Sequence, residues 1–152
     1  MKKFYFALDT VLSYNEQVLE NLQAQHAKIM AEIVECERGI ALLEEEQQSC
    51  MTELDEKRAR GISINDMQTY DRFLTSLRKK IEREKVRLAE IRVREEKKRE
   101  EVIEARKETA SITKLREKKL AQYDKEVQKE EEHFIDEFVS NKSAVEKARN
   151  TA

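Results

Sequence analysis

The chain has no proline and no tryptophan in 152 residues, and only two glycines, Gly39 and Gly61. Without proline, nothing in the backbone stops a helix from running on for tens of residues. Two isolated glycines exclude the glycine-rich loops that cradle phosphate groups. No run of about 18 apolar residues occurs, so no segment is a candidate membrane span. An excess of one charge sign is missing too: 30 basic residues are balanced by 32 acidic ones, for a net charge of −2. A dedicated nucleic-acid binder needs a net basic field, and none is present. The opening MKKFYFALD meets Asp9 too early for a signal peptide and lacks a small-residue cleavage site, which points to a cytoplasmic chain. The two cysteines, Cys36 and Cys50, fall on one expected helix about 21 Å apart at 1.5 Å per residue. They are too far apart to bridge within the chain, and they read as buried thiols that act as small hydrophobes.

What the chain does have is charge and periodicity. Charged residues are 41% of it and hydrophobic ones 39%. A mix dominated by Lys, Arg, Glu, Ala, Leu and Gln at helical period belongs to long helices or coiled coil. Many charges and few aromatics would also suit a disordered chain, and the periodicity decides against that. Starting at Leu8, apolar residues recur in alternating steps of four and three through Leu12, Leu19, Leu22, Ile29, Ile33, Cys36, Ile40, Leu43, Cys50 and Leu54. Only Asn15, His26 and Gln47 interrupt the seam. This is an unbroken heptad stripe and predicts one amphipathic helix over about residues 9–58, with Asp9 as its N-cap. The alternating Phe4, Phe6 and Leu8 before it form a short non-helical lead.

Gly61 ends that helix, since glycine readily takes the positive φ of a helix C-terminus. Ser63 then caps a second helix, with Asp66 three residues on in a capping-box position. A connection over residues 59–64 is so short that the two helices fold back antiparallel. The expected fold is all-α: a long antiparallel two-helix coiled-coil hairpin, one domain over 1–152, with an overhanging C-terminal helix end. The second helix is expected over about 65–140 and a polar, mobile tail over 141–152. Its seam runs through Met67, Tyr70, Leu74, Leu77, Ile81, Glu84, Leu88, Ile91, Glu95, Lys98, Val102, Ala105, Thr109 and Ile112. Two successive four-residue steps, Ile112 to Arg116 to Leu120, then shift the frame, which is a stutter. From Glu95 to Lys98 the seam is polar, within the charged run REEKKREE, so pairing there is either loose or held by weak salt bridges. At 1.5 Å per residue the arms measure about 75 and 110 Å. The longer arm outruns the shorter near residues 115–120. Tyr123, Val127, Phe134 and Phe138 then lack an intramolecular partner and form a candidate docking stripe.

Catalytic chemistry has no foothold in this pattern. A triad needs a rigid concave site, which two helices do not offer, so the chain reads as a non-enzyme with no cofactor. His133 has Glu130 and Glu137 at helical spacing, an arrangement that a Glu-rich helix supplies by chance, so no metal site is assigned. His26 lies in the first seam with no obvious carboxylate beside it and reads as a polar seam residue that fixes register. Met30, Met51 and Met67 read as packing.

The segment GISINDMQTYDRFLTSLRKKIE, with Gly61, Ile62, Asn65, Tyr70, Phe73, Leu74, Leu77, Lys80, Ile81 and Glu82, resembles the central part of the flagellar type III export family FliJ. FYFALDTVLSYNEQ is similar to that family's opening, although Ser13, Tyr14 and Asn15 stand where many members have a basic residue. LREKKLAQYDKEVQKEEE resembles its late segment. The resemblance covers nearly the whole chain. It implies a hairpin similar to the rotor stalk of rotary ATPases. It also implies three partners: the hexameric export ATPase, whose assembly and activity the stalk promotes; the cytoplasmic domain of the membrane export gate protein; and export chaperones that the stalk escorts. The implied place is the cytoplasm, peripheral to the inner face of the membrane at the flagellar base. On this chain the ring-facing candidates are Tyr123, Val127, Phe134 and Phe138, with Val11 and Val18 beside the first seam. The gate-facing candidates are Leu43, Phe73 and Leu77; Glu46 and Cys50 stand where the family can show aromatics. Leu43 and Leu77 also read as plain seam residues. An injectisome stalk, a coiled-coil spacer and a prefoldin-type chaperone remain as alternatives, the last without the β-hairpins it needs.

Overall fold

The computed structural model describes residues 2–151. Two helices, α1 (Asp9–Arg60) and α2 (Ile64–Asn150), account for nearly all of them and pack against each other as a two-helix hairpin. Gly61 takes φ +97°, in the left-handed region that L side chains rarely adopt, and its N–H donates to the Arg58 carbonyl at 3.3 Å. The Ser63 hydroxyl accepts the Asp66 N–H at 3.2 Å, and the Ser63 carbonyl accepts the Met67 N–H at 3.0 Å. Ser63 is thus the N-cap of α2, satisfying one of the orphan donors at the helix start.

Three boundaries differ from the sequence reading. α1 runs to Arg60 rather than 58. α2 continues to Asn150, through the stretch expected as a polar tail. Ala144, Ala148, Glu146, Lys147 and Arg149 are good helix formers and neither glycine nor proline stops them. Asp9 is not the N-cap: the Leu8 carbonyl accepts the Leu12 N–H at 2.8 Å, so Asp9 is already helical and its carboxylate turns to Arg116 instead.

The chain divides into two compact units. One comprises residues 19–104. Its core is a narrow seam in which Ile33, Cys36 and Ile40 of α1 pack with Leu88 and Ile91 of α2, with Ile29 against them. Leu77 and Ile91 are the most deeply buried side chains, at 1% and 2% exposure. Where apolar residues run out, the seam is polar and paired. His26 Nε2 lies 2.9 Å from Glu95 Oε1, and Lys98 Nζ donates to Gln25 Oε1 at 3.0 Å. Arg94–Glu32 and Arg92–Glu37, at 2.8 and 2.9 Å, flank this layer on its exposed sides. His26 therefore has the carboxylate partner that its own helix did not offer. These exposed pairs contribute at most about 1 kcal/mol each; their larger effect is to fix register, because a slip would strand His26 against an apolar neighbour.

The other unit comprises residues 1–18 and 105–152, described here over 2–18 and 105–151. On α2 the covered positions are Ala105, Thr109, Ile112, Thr113, Arg116, Leu120, Tyr123 and Val127. The two four-residue steps expected from the sequence are present there, and the packed stripe shifts with them. Phe6 is buried at 5% exposure although it precedes the helix.

Candidate partner-binding surfaces

The first surface is the free end of α2. Val127 is the last half-buried residue, and every residue from 128 to 150 is exposed. Phe134 and Phe138 are 70% and 63% exposed, and Ile135, Val139 and Val145 are exposed beside them. Positions 134, 135, 138 and 139 share one helix face. Large apolar side chains left in water on one face are an uncompensated cost, and such a face marks an interaction site more often than a structural accident. His133 Nδ1 lies 3.7 Å from Glu137 on the same helix, and no metal-binding group of side chains occurs among the described residues.

Tyr123 does not belong to that bare stripe. Its ring meets Phe4 at 5.5 Å between centroids, and its hydroxyl donates to the Lys2 carbonyl at 2.7 Å. The guanidinium of Arg116 stacks over Phe4 at 5.6 Å, while its Nε bonds Asp9 at 3.0 Å. The lead before α1 thus folds onto α2, and Arg116 clasps the lead and the first turn of α1 together. The sequence reading missed this cover because residues 2–8 carry no helical period to match against a seam. Val127 is half-buried as well, so of the four ring-facing candidates on α2 Phe134 and Phe138 stand free. Val11 is 43% exposed and Val18 half-buried.

A second surface lies near the turn. A groove of about 400 Å³ opens between Ser49 and Cys50 of α1 and Thr69, Tyr70 and Phe73 of α2. Phe73 is 43% exposed at its edge. The Tyr70 hydroxyl accepts Lys57 Nζ at 2.5 Å and donates to Glu53 at 3.1 Å. The bond to Tyr70, with a smaller contribution from Glu53, raises the Lys57 pKa. This network sits in water, so its role is to hold the Tyr70 ring at the groove. Leu77, by contrast, is sealed in the seam and cannot meet a partner directly. Leu43 is half-buried. Of the three gate-facing candidates only Phe73 is exposed.

Both thiols are buried. Cys36 Sγ lies 3.6 Å from the Glu84 carbonyl and 3.7 Å from its carboxylate. Burial, then the Glu84 bond and charge, raises the Cys36 pKa; burial followed by the Glu53 and Glu46 charges raises that of Cys50. Thiols held protonated in this way are inert packing groups, not nucleophiles.

The exposed apolar side chains near the end of α2 and the groove near the turn are the candidate surfaces of this hairpin. The family model of the flagellar FliJ protein matches residues 4–148, and the chain belongs to that family. It is therefore a component of the flagellar export apparatus, in a family that is not catalytic. No curated protein and no solved structure gives a significant match. No helix among the described residues is long and apolar enough to cross a membrane.

Proposed function

We propose that this chain is the stalk of the flagellar export ATPase: it binds the hexameric ring, promotes its assembly and turnover, links it to the cytoplasmic domain of the export gate, and escorts export chaperones. The work would take place in the cytoplasm, against the inner face of the membrane. The observation that carries this reading is the bare end of α2, with Phe134 and Phe138 on one face and no described residue after Val127 covered. A single helix end is narrow enough to enter a ring, and its one apolar face makes it asymmetric. Subunits in different nucleotide states would then meet different surfaces, which is the differential contact that coupling requires. In this reading Phe134 and Phe138 contact the ring. Tyr123, Val127, Val11 and Val18 stand at the base of the inserted part, where the clasp of Arg116 stiffens the emerging helix. Phe73, held beside Tyr70 at the groove near the turn, would contact the gate, with Leu43 beside it and Leu77 supporting from within. The test is to mix the purified chain with the export ATPase and measure oligomeric state and hydrolysis. Enhanced ring assembly and hydrolysis support the proposal, and a chain that changes neither refutes it.

A further inference from the structure

The outer face of α2 just after the turn carries a row of cations that neither the seam nor the partner surfaces above use. Arg72, Ser76, Lys79 and Arg83 follow one another in steps of four, three and four, so they line one helix face, over about 16 Å at 1.5 Å per residue. They lie opposite the buried Leu77 and Ile81, and all four are exposed. Lys80 flanks the row, and Arg78 lies further round the same helix, beyond Asp71 and Glu82. None of these five cations forms an ion pair among the described residues, although Asp71 and Glu82 stand at the edges of the same face. A shallow, open depression of about 450 Å³ runs along the row and offers the Thr75 and Ser76 hydroxyls between the charges.

The same level of the hairpin is acidic on its other side. Residues 44–53 of α1, at the level of 70–85, hold Glu44, Glu45, Glu46 and Glu53 and no lysine or arginine. Residues 71–83 of α2 hold five cations to two carboxylates, net +3. The Glu53–Tyr70 and Glu44–Lys85 contacts bracket the two runs against each other. Charge is therefore polarised across the hairpin here, although the chain as a whole is near neutral.

We propose that this face of α2 docks on an anionic phospholipid bilayer. A cylinder touches a plane along a line, and the row is a line of one sign. An anionic plane would draw α2 toward it and push the acidic α1 away, so it sets the orientation of this segment as well as holding it. Specific protein interfaces centre on aromatic and apolar anchors. The row itself has none, since the exposed Phe73 lies about a quarter turn round the helix at the groove, whereas the diffuse negative potential of a lipid surface needs only clustered cations. Docking of this kind rests on the proposed place at the inner face of the membrane and needs neither ring nor gate binding.

The test uses the full chain and sedimentation with vesicles of phosphatidylglycerol and phosphatidylcholine, or of phosphatidylcholine alone. Binding to the anionic vesicles is expected, with none to the neutral ones. It should weaken as salt shortens the screening length from about 10 Å at 0.1 M toward 3 Å at 1 M. The triple variant Arg72→Gln, Lys79→Gln, Arg83→Gln should lose binding by on the order of a hundredfold. Lys142→Gln, Lys147→Gln, Arg149→Gln, with the same change in net charge, should bind as wild type does. Arg72→Lys, Lys79→Arg, Arg83→Lys should retain binding, and circular dichroism should show equal helicity in all. The proposal is overturned by equal binding to both vesicle types, by an unaffected first variant, or by an equal loss in the second. Retention on immobilised polyglutamate without vesicle binding would also overturn it, and would assign the face to an acidic polypeptide.

Discussion

Ile91 is the sharpest test of how the narrow seam holds the hairpin. It is 2% exposed and packs with Ile33, Cys36, Ile40 and Leu88. Ile91→Ala removes three carbons from that contact, about 2.4 kcal/mol of transfer free energy at about 0.8 kcal/mol per methylene. A cavity contribution adds to this. It is small here, because the neighbours lie at 6–9% exposure and a seam two helices thick can close inward. About 3 kcal/mol is therefore lost from packing, and better helix propensity of alanine returns about 0.5 kcal/mol. The control is Val93→Ala, two residues along the same helix and 56% exposed. It receives the same propensity gain and loses almost no packing. Urea unfolding followed by circular dichroism at the helical band reads both variants. With a slope of about 2 kcal/mol/M, Ile91→Ala should lower the midpoint by more than 1 M, while Val93→Ala leaves it unchanged or slightly raised. Midpoints within a few tenths of a molar of each other would refute the assignment of stability to this seam.

Two further predictions follow from the same geometry. Phe73→Ala should weaken capture of the export gate's cytoplasmic domain at unchanged urea midpoint, whereas Leu77→Ala should lower the midpoint; wild-type capture by the Phe73 variant would remove the gate assignment. Both thiols have folded pKa values raised above the ordinary 9.0, so the unfolded chain loses those protons first as pH rises. Their contribution to stability is complete below about pH 9 and declines above it until the folded pKa is reached. Alkylation at pH 8 should therefore be slow in the native chain and fast in urea, and equal rates would show that Cys36 and Cys50 are not buried.

Much of this fold could be read from the sequence because a heptad seam is a local signal. The steps from Leu12 to Leu54, the turn at Gly61 and Ser63, and the frame shift at Arg116 each depend on residues a few positions apart, and each appears where the spacing puts it. What escaped depends on residues far apart in the chain. Glu95, 69 positions away, is the partner His26 lacked on its own helix. Arg116 takes Asp9 out of its expected capping role from a distance of 107 positions. The lead around Phe4 and Phe6 has no helical period, so its packing on Tyr123 had no signal in a heptad seam, and two members of the expected docking stripe, Tyr123 and Val127, proved to be covered. The helical state of residues 141–150 could have been read from propensity; the absence of an apolar stripe argued, wrongly, for a tail. At the candidate surfaces, exposure sorted residues that spacing had grouped: Phe134, Phe138 and Phe73 stand free, and Leu77 does not.

The central claim is that the bare end of α2 engages the export ATPase ring, and one titration tests it. Wild type and the Phe134→Ala, Phe138→Ala variant are added to the ATPase while hydrolysis is recorded, with helicity checked first. Equal helicity is expected, with a stimulation that falls at least tenfold in apparent affinity, as the loss of two exposed aromatic anchors requires at about 1–2 kcal/mol each. A variant that stimulates hydrolysis along the wild-type curve would contradict it.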